Sequence, residues 1–104
     1  MNHSSEILMI RTVIQVLPKD DFKVYVYFDD GKIKLFDMAH LIGQGVFQKI
    51  SHLNDFIEKC TVLNGTLAWD LDGKFDGYNC IDIAPETIYE KGQDVSDPLG
   101  NSAA

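Results

Sequence analysis

The chain holds little cysteine, little histidine and little positive charge: its 104 residues include two Cys, three His and nine Lys or Arg against sixteen Asp or Glu. Two cysteines, Cys60 and Cys80, are too few and too far apart in sequence for a disulfide framework or a zinc knuckle. They read as small buried hydrophobes in a reducing cytosol, with a pairing between them left open. The net charge of −7 and pI near 4.6 repel phosphate backbones. The Lys and Arg residues are scattered singly, so no nucleic-acid patch forms and direct nucleic-acid binding is not expected. An acidic chain does suit a basic protein partner. Long apolar runs are also missing. Residues 7–10 are far short of a signal sequence or a membrane span, which leads to the expectation of a soluble, cytoplasmic protein with no membrane partner.

Catalytic patterns are absent too. His3, His40 and His52 have no ligand spacing, and the serines concentrate at the termini without a nucleophile elbow. Gly43-Gln44-Gly45 lacks the third glycine of a phosphate loop. Lys59 alternates away from Cys60 on a strand and gives no reason for a lowered thiol pKa. No catalytic residue, metal ligand or cofactor is therefore assigned.

What the chain does have is alternation, which predicts one α+β domain over residues 6–91 with flexible termini at 1–5 and 92–104. Residues 12–17 read as a strand ended by Pro18, with Lys19-Asp20-Asp21 as the turn. Phe22, Val24, Val26 and Phe28 then alternate with Lys23, Tyr25 and Tyr27. Asp30-Gly31 reads as a two-residue hairpin turn, pairing Phe28 with Ile33 and Val26 with Leu35 inside. The same register pairs Tyr27 with Lys34 and Tyr25 with Phe36 outside. Asp37 is placed to cap a short helix through Leu41. Phe47, Ile50, Leu53, Phe56 and Ile57 predict one or two short amphipathic helices laid on the sheet. Asn64-Gly65 predicts a second hairpin in which Val62 faces Leu67 and Cys60 faces Trp69, with Trp69 in the core. A short strand at 81–83 leads to a terminal helix with Pro85 in its first turn, and Asp82 either faces the loop before it or caps that helix. The expected architecture is an antiparallel sheet of two hairpins with helices on one face. Asp37, Trp69, Asp82 and Pro85 are its structural residues.

Two features invite a functional reading. The loop carrying Asp70, Asp72 and Asp76, followed by Asp82, offers oxygens to a hard cation, and a small metal-dependent enzyme or metal-binding protein is the alternative function. Counted from Asp70 or from Asp72 it fails the EF-hand pattern, and turns rich in Asp and Gly explain it more simply. The second feature is an aromatic strip, Tyr25, Tyr27 and Phe36, edged by Lys23, Lys32 and Lys34. Either a helix or the N-terminal segment covers it within the monomer, or it is a protein-contact surface comprising Tyr25, Tyr27, Lys34 and Phe36. Its partner would then be a second copy or another small protein.

The run from Val24 through Tyr25, Val26, Tyr27, Phe28, Asp29 and Asp30 to Gly31, followed by Leu35-Phe36-Asp37, resembles the opening of a family of small bacterial domains of unknown function, numbered 2442. Phe47, Phe56, Trp69-Asp70 and the closing stretch from Cys80 to Tyr89 continue the resemblance. It implies an α+β fold with three strands, short helices, two further strands and a terminal helix, and it implies no catalytic residues. Members are similar to domains that precede helix-turn-helix modules, and free-standing members often sit beside a second small protein, which implies a toxin–antitoxin-like pair. No helix-turn-helix extension is expected of this chain, which weakens the regulatory reading. Ala84 stands where many members place an acidic residue before the proline, and the loop between Asp70 and Asn79 is longer than in the shortest members.

Overall fold

The computed structural model describes residues 11–73 and 79–99. Strands β1 (Val13–Pro18), β2 (Lys23–Phe28) and β3 (Ile33–Asp37) come first. A 3-10 helix (Gly45–Ile50) and helix α1 (Leu53–Glu58) follow, then β4 (Cys60–Leu63), β5 (Thr66–Asp70) and β6 (Cys80–Ile83). Helix α2 (Pro85–Lys91) and a two-residue strand β7 (Gln93–Asp94) complete the order. The fold is α+β, but the two hairpins do not share a sheet. One antiparallel sheet runs β1-β2-β3-β7 and the other β4-β5-β6.

The second hairpin has the expected register. Asn64 and Gly65 both take positive φ (53° and 74°), as a two-residue turn of this hand requires. Val62 lies opposite Leu67 and Cys60 opposite Trp69.

The first hairpin departs by one residue. Tyr27 pairs with Ile33, Tyr25 with Leu35, Val26 with Lys34 and Val24 with Phe36. Only Gly31 in the loop has positive φ (92°); its N–H donates to the Phe28 carbonyl, and the Phe28 N–H donates to the Lys32 carbonyl. This is a three-residue loop closed by a left-handed glycine. The Asp30 carboxylate accepts the Lys32 N–H at 2.9 Å, a local bond that holds Asp30 out of the left-handed region a two-residue turn would demand.

One core cluster joins the two sheets. Val24, Val26, Phe28 and Phe36 come from the first, and Leu67, Trp69, Ile81 and Ile83 from the second. Ile50, Phe56 and Ile88 enter from the helices. The helices span six or seven residues each, too short to persist alone, so these buried side chains hold them. Val13 donates its N–H to the Gly65 carbonyl at 2.8 Å and so ties the tip of the second hairpin to β1. Phe22, expected within β2, instead sits before it at φ 63°. That conformation is costly for a bulky residue. It is offset by the ring packing edge-on against Phe56 (5.0 Å) and by a carbonyl that accepts the Met38 N–H.

Two further expectations change. Asp37 closes a turn rather than a helix: its carboxylate accepts the Ala39 N–H at 2.8 Å, and residues 39–43 form successive turns. The chain after Lys91, expected as a flexible tail, continues in the fold as β7, with Asp94 opposite Lys34 and Gln93 opposite Leu35. The expectations for residues 1–5 and 100–104 lie outside the described residues.

Candidate functional site

Residues opposite one another on neighbouring antiparallel strands share a face. The pairings therefore place Leu17, Tyr25 and Leu35 in one row on the outer face of the first sheet, with Gln15, Tyr27 and Ile33 in the next. None of the five apolar residues in these rows belongs to the core cluster. Leu17, Tyr25, Ile33 and Leu35 are half-buried, and Ile14, at the bulge in β1, is 60 % exposed. The Lys19 ammonium lies 5.5 Å from the Tyr25 ring centre, a cation over the face of an aromatic.

This corrects the expected strip in two places. Phe36 and Lys34 are on the inward side, 5 % and 7 % exposed, and cannot line an outer surface together with Tyr25. The one-residue change of register sends them inward and brings Ile33 and Leu35 outward in their place. Tyr27 stays on the outer face but is only 8 % exposed, and its hydroxyl donates to Asp97 at 2.7 Å. The cover on the strip is thus partial and comes from the C-terminal segment. Burial and the Asp97 carboxylate push the Tyr27 phenol up to about 12.

Lys34 emerges from the inward face at the sheet edge. Its ammonium meets Asp94 at 2.6 Å and lies 4.9 Å from the Tyr89 ring centre. The Arg11 guanidinium sits 3.9 Å from the centre of the same ring. The Tyr89 hydroxyl donates to Asp30 at 2.6 Å, and its ring stands edge-on to Phe28. Hydrogen bonding lowers the pKa of Asp30 through Tyr89 and that of Asp94 through Lys34; the bond to Asp30 raises that of Tyr89. The cluster ties the hairpin loop, α2 and β7 together. Sequence reasoning missed it because its members lie far apart in the chain.

Trp69 is fully buried, with its indole N–H donating to the Phe56 carbonyl at 2.9 Å. Pro85 occupies the first turn of α2 as expected. Asp82 is exposed on β6 opposite Ala68, and no side chain caps α2, so Asp82 is not its cap. Neither Cys60 nor Cys80 is in a disulfide. β5 separates their strands, and they face opposite sides of the sheet, Cys60 beside Trp69 and Cys80 beside Asp70. Burial pushes the Cys60 thiol up to about 12, which makes it inert at neutral pH.

In the acidic loop, Asp70 is buried on β5 and Asp72 is exposed, while Asp76 lies outside the described residues. Among the described residues no three His, Cys, Asp or Glu side chains are grouped to hold a metal ion. An open groove of about 680 Å³ and mixed charge runs past Arg11, Asn64, Thr66, Asp82 and Glu86. No helix among the described residues is long and apolar enough to cross a membrane.

These features define an α+β domain of two small antiparallel sheets around one core, with an apolar, tyrosine-bearing face turned away from that core. The chain belongs to the family described as "Protein of unknown function (DUF2442)", whose match covers residues 13–94. The matched span ends on the last residue of β7 and so includes the edge strand. No curated protein and no solved structure matches the chain.

Proposed function

We propose that this protein is a non-enzymatic binding module whose contact surface is the outer face of the four-stranded sheet, with a second small protein as partner in a toxin–antitoxin-like pair. One observation carries the reading. Leu17, Tyr25, Ile33 and Leu35 are half-buried on a sheet face outside the core, beside the exposed Ile14. Apolar area gains about 25 cal/mol per Å² when water is removed, so a contiguous patch of this kind favours a cover. Tyrosine adds a rigid, amphipathic contact at low entropic cost. Charge shapes the choice of partner: a chain of net charge −7 repels a second copy of itself over distance, which favours a heterologous partner.

The test is co-purification of the tagged chain from its host, with Tyr25→Glu compared against the parent. Tyr25 lies outside the core, so the variant should keep its fold and lose its partner. Retention of the same partner at full yield by a folded Tyr25→Glu chain would refute the assignment of this face.

A further inference from the structure

The edge of β3 is filled by the chain's own end, and that end is held by few contacts. β7 is two residues long and pairs only with Lys34 and Leu35. Beyond it, Val95 donates its N–H to the Ile33 carbonyl, and Asp97 receives the Tyr27 hydroxyl. The Lys34 side chain is 9 % exposed and that of its partner Asp94 is 68 % exposed, while Val95 and Asp97 are half-buried. Removing the segment would take the carboxylates from the Lys34 ammonium and the Tyr27 phenol, and would leave the edge of β3 unpaired. An open strand edge is unfavourable, so the site favours an occupant that restores the backbone pairing and both side-chain contacts.

We propose that the β3 edge is a strand-acceptor site, filled in cis by residues 93–99, and that a partner enters it as an extended segment carrying two carboxylates three residues apart. The spacing follows from Asp94 on Lys34 and Asp97 on Tyr27, with an apolar residue between them beside Ile33, as Val95 is now. Backbone pairing supplies affinity in such strand addition, and the alternating side chains supply selectivity. Although the chain is acidic as a whole, cations gather at this edge: Lys34 on β3, Lys32 just before it, and Arg11 over the Tyr89 ring. The proposal rests on the protein-binding reading above and adds the route of entry. The tethered segment competes at an effective concentration on the millimolar scale, so an outside strand succeeds only when it makes more contacts or when the tether's acids are neutralised.

The probe is a labelled synthetic peptide of the segment itself, Gln-Asp-Val-Ser-Asp-Pro-Leu, titrated into the full-length parent and into the full-length Asp94→Asn/Asp97→Asn variant. The variant should bind it saturably and at least about tenfold more tightly than the parent. A peptide with Asn at both acidic positions should lose that binding. Equal binding to parent and variant, absence of binding to both, or indifference to the two acids would overturn the proposal. Hydrogen exchange on the parent serves if the variant does not fold. The Val95 amide should exchange far faster than the central β2 amides, and equal protection would overturn the proposal. A failed peptide titration leaves the Tyr25→Glu result untouched, so the two readings fail separately.

Discussion

The two hairpins of this chain carry similar turn dipeptides, Asp30-Gly31 and Asn64-Gly65, and resolve them differently. In the second, Asn64 and Gly65 are both left-handed and the loop has two residues. In the first, Asp30 bonds its own backbone two residues on, Gly31 alone is left-handed, and the loop has three. The strands amplify the difference. β5 is buried along its whole length, so a slip there would displace Leu67 and Trp69 from the core. β3 reads Ile-Lys-Leu-Phe-Asp, with apolar residues on both faces, and either register buries something. The register it takes gives Phe36 to the core and Ile33 and Leu35 to the outer face. The difference thereby creates the surface on which the function is proposed to rest.

The largest expected effect lies in the second hairpin. Trp69→Ala removes a fully buried aromatic and leaves the Phe56 carbonyl without its donor. It should cost about 3–5 kcal/mol, a large share of a small domain's roughly 5–15 kcal/mol. Thermal or urea unfolding reads this directly. A melting temperature within a few degrees of the parent would contradict the burial.

Gly92→Ala tests the edge of the first sheet. A Cβ there would lie 2.8 Å from both the Ile88 carbonyl oxygen and the Lys34 Cβ. Overpacking of this kind costs about 1–3 kcal/mol. The loss should appear as lower stability together with faster exchange of the Val95 amide, because Gly92 leads directly into β7. A silent substitution would mean that the chain after α2 does not cross β3 closely.

The loop glycines sharpen the comparison. Gly31→Ala and Gly65→Ala each force a left-handed alanine, worth roughly 1–2 kcal/mol. A Cβ at Gly31 meets open space, whereas one at Gly65 approaches the Thr12 methyl at 3.2 Å. Urea midpoints should therefore rank Gly65→Ala below Gly31→Ala, and the reverse order would break the account of the turns.

The smallest effect is one of pH. A carboxylate whose pKa is lower folded than unfolded stabilises the fold above its unfolded value, 3.8 for Asp94, and loses that contribution as pH falls through the folded value. The Lys34–Asp94 contact should thus loosen only in acid below about pH 4, seen as loss of Val95 amide protection while the β5 amides stay protected. Tyr27 runs the other way. Its phenol is raised, so its contribution holds below 10.0 and is lost as pH rises toward about 12, which ultraviolet titration of the tyrosinate would follow.

The α+β class, the second hairpin with its register, the burial of Trp69 and the place of Pro85 were legible in the sequence, because the Asn-Gly turn sets Cys60 and Val62 opposite Trp69 and Leu67 and proline favours a helix's first turn. Three features were not. The register of the first hairpin hung on a local Asp30 bond that competes with the two-residue turn. The left-handed Phe22 is held by tertiary contacts with Phe56 and Met38, which no local pattern announces. β7 has no apolar alternation; it is a strand because Lys34 and Leu35 give it partners. Of the expected contact residues Tyr25, Tyr27, Lys34 and Phe36, the structure keeps the two tyrosines outward and turns the other two in.

The claim that the outer face of the four-stranded sheet is the contact surface is tested most directly by partner retention. Tyr25→Glu is compared with Ile57→Glu, a control at the exposed Ile57 of α1. The account predicts parent-like folding for both, loss of the co-purifying protein for Tyr25→Glu, and retention for Ile57→Glu. Full retention by Tyr25→Glu, or equal loss by both, would contradict it.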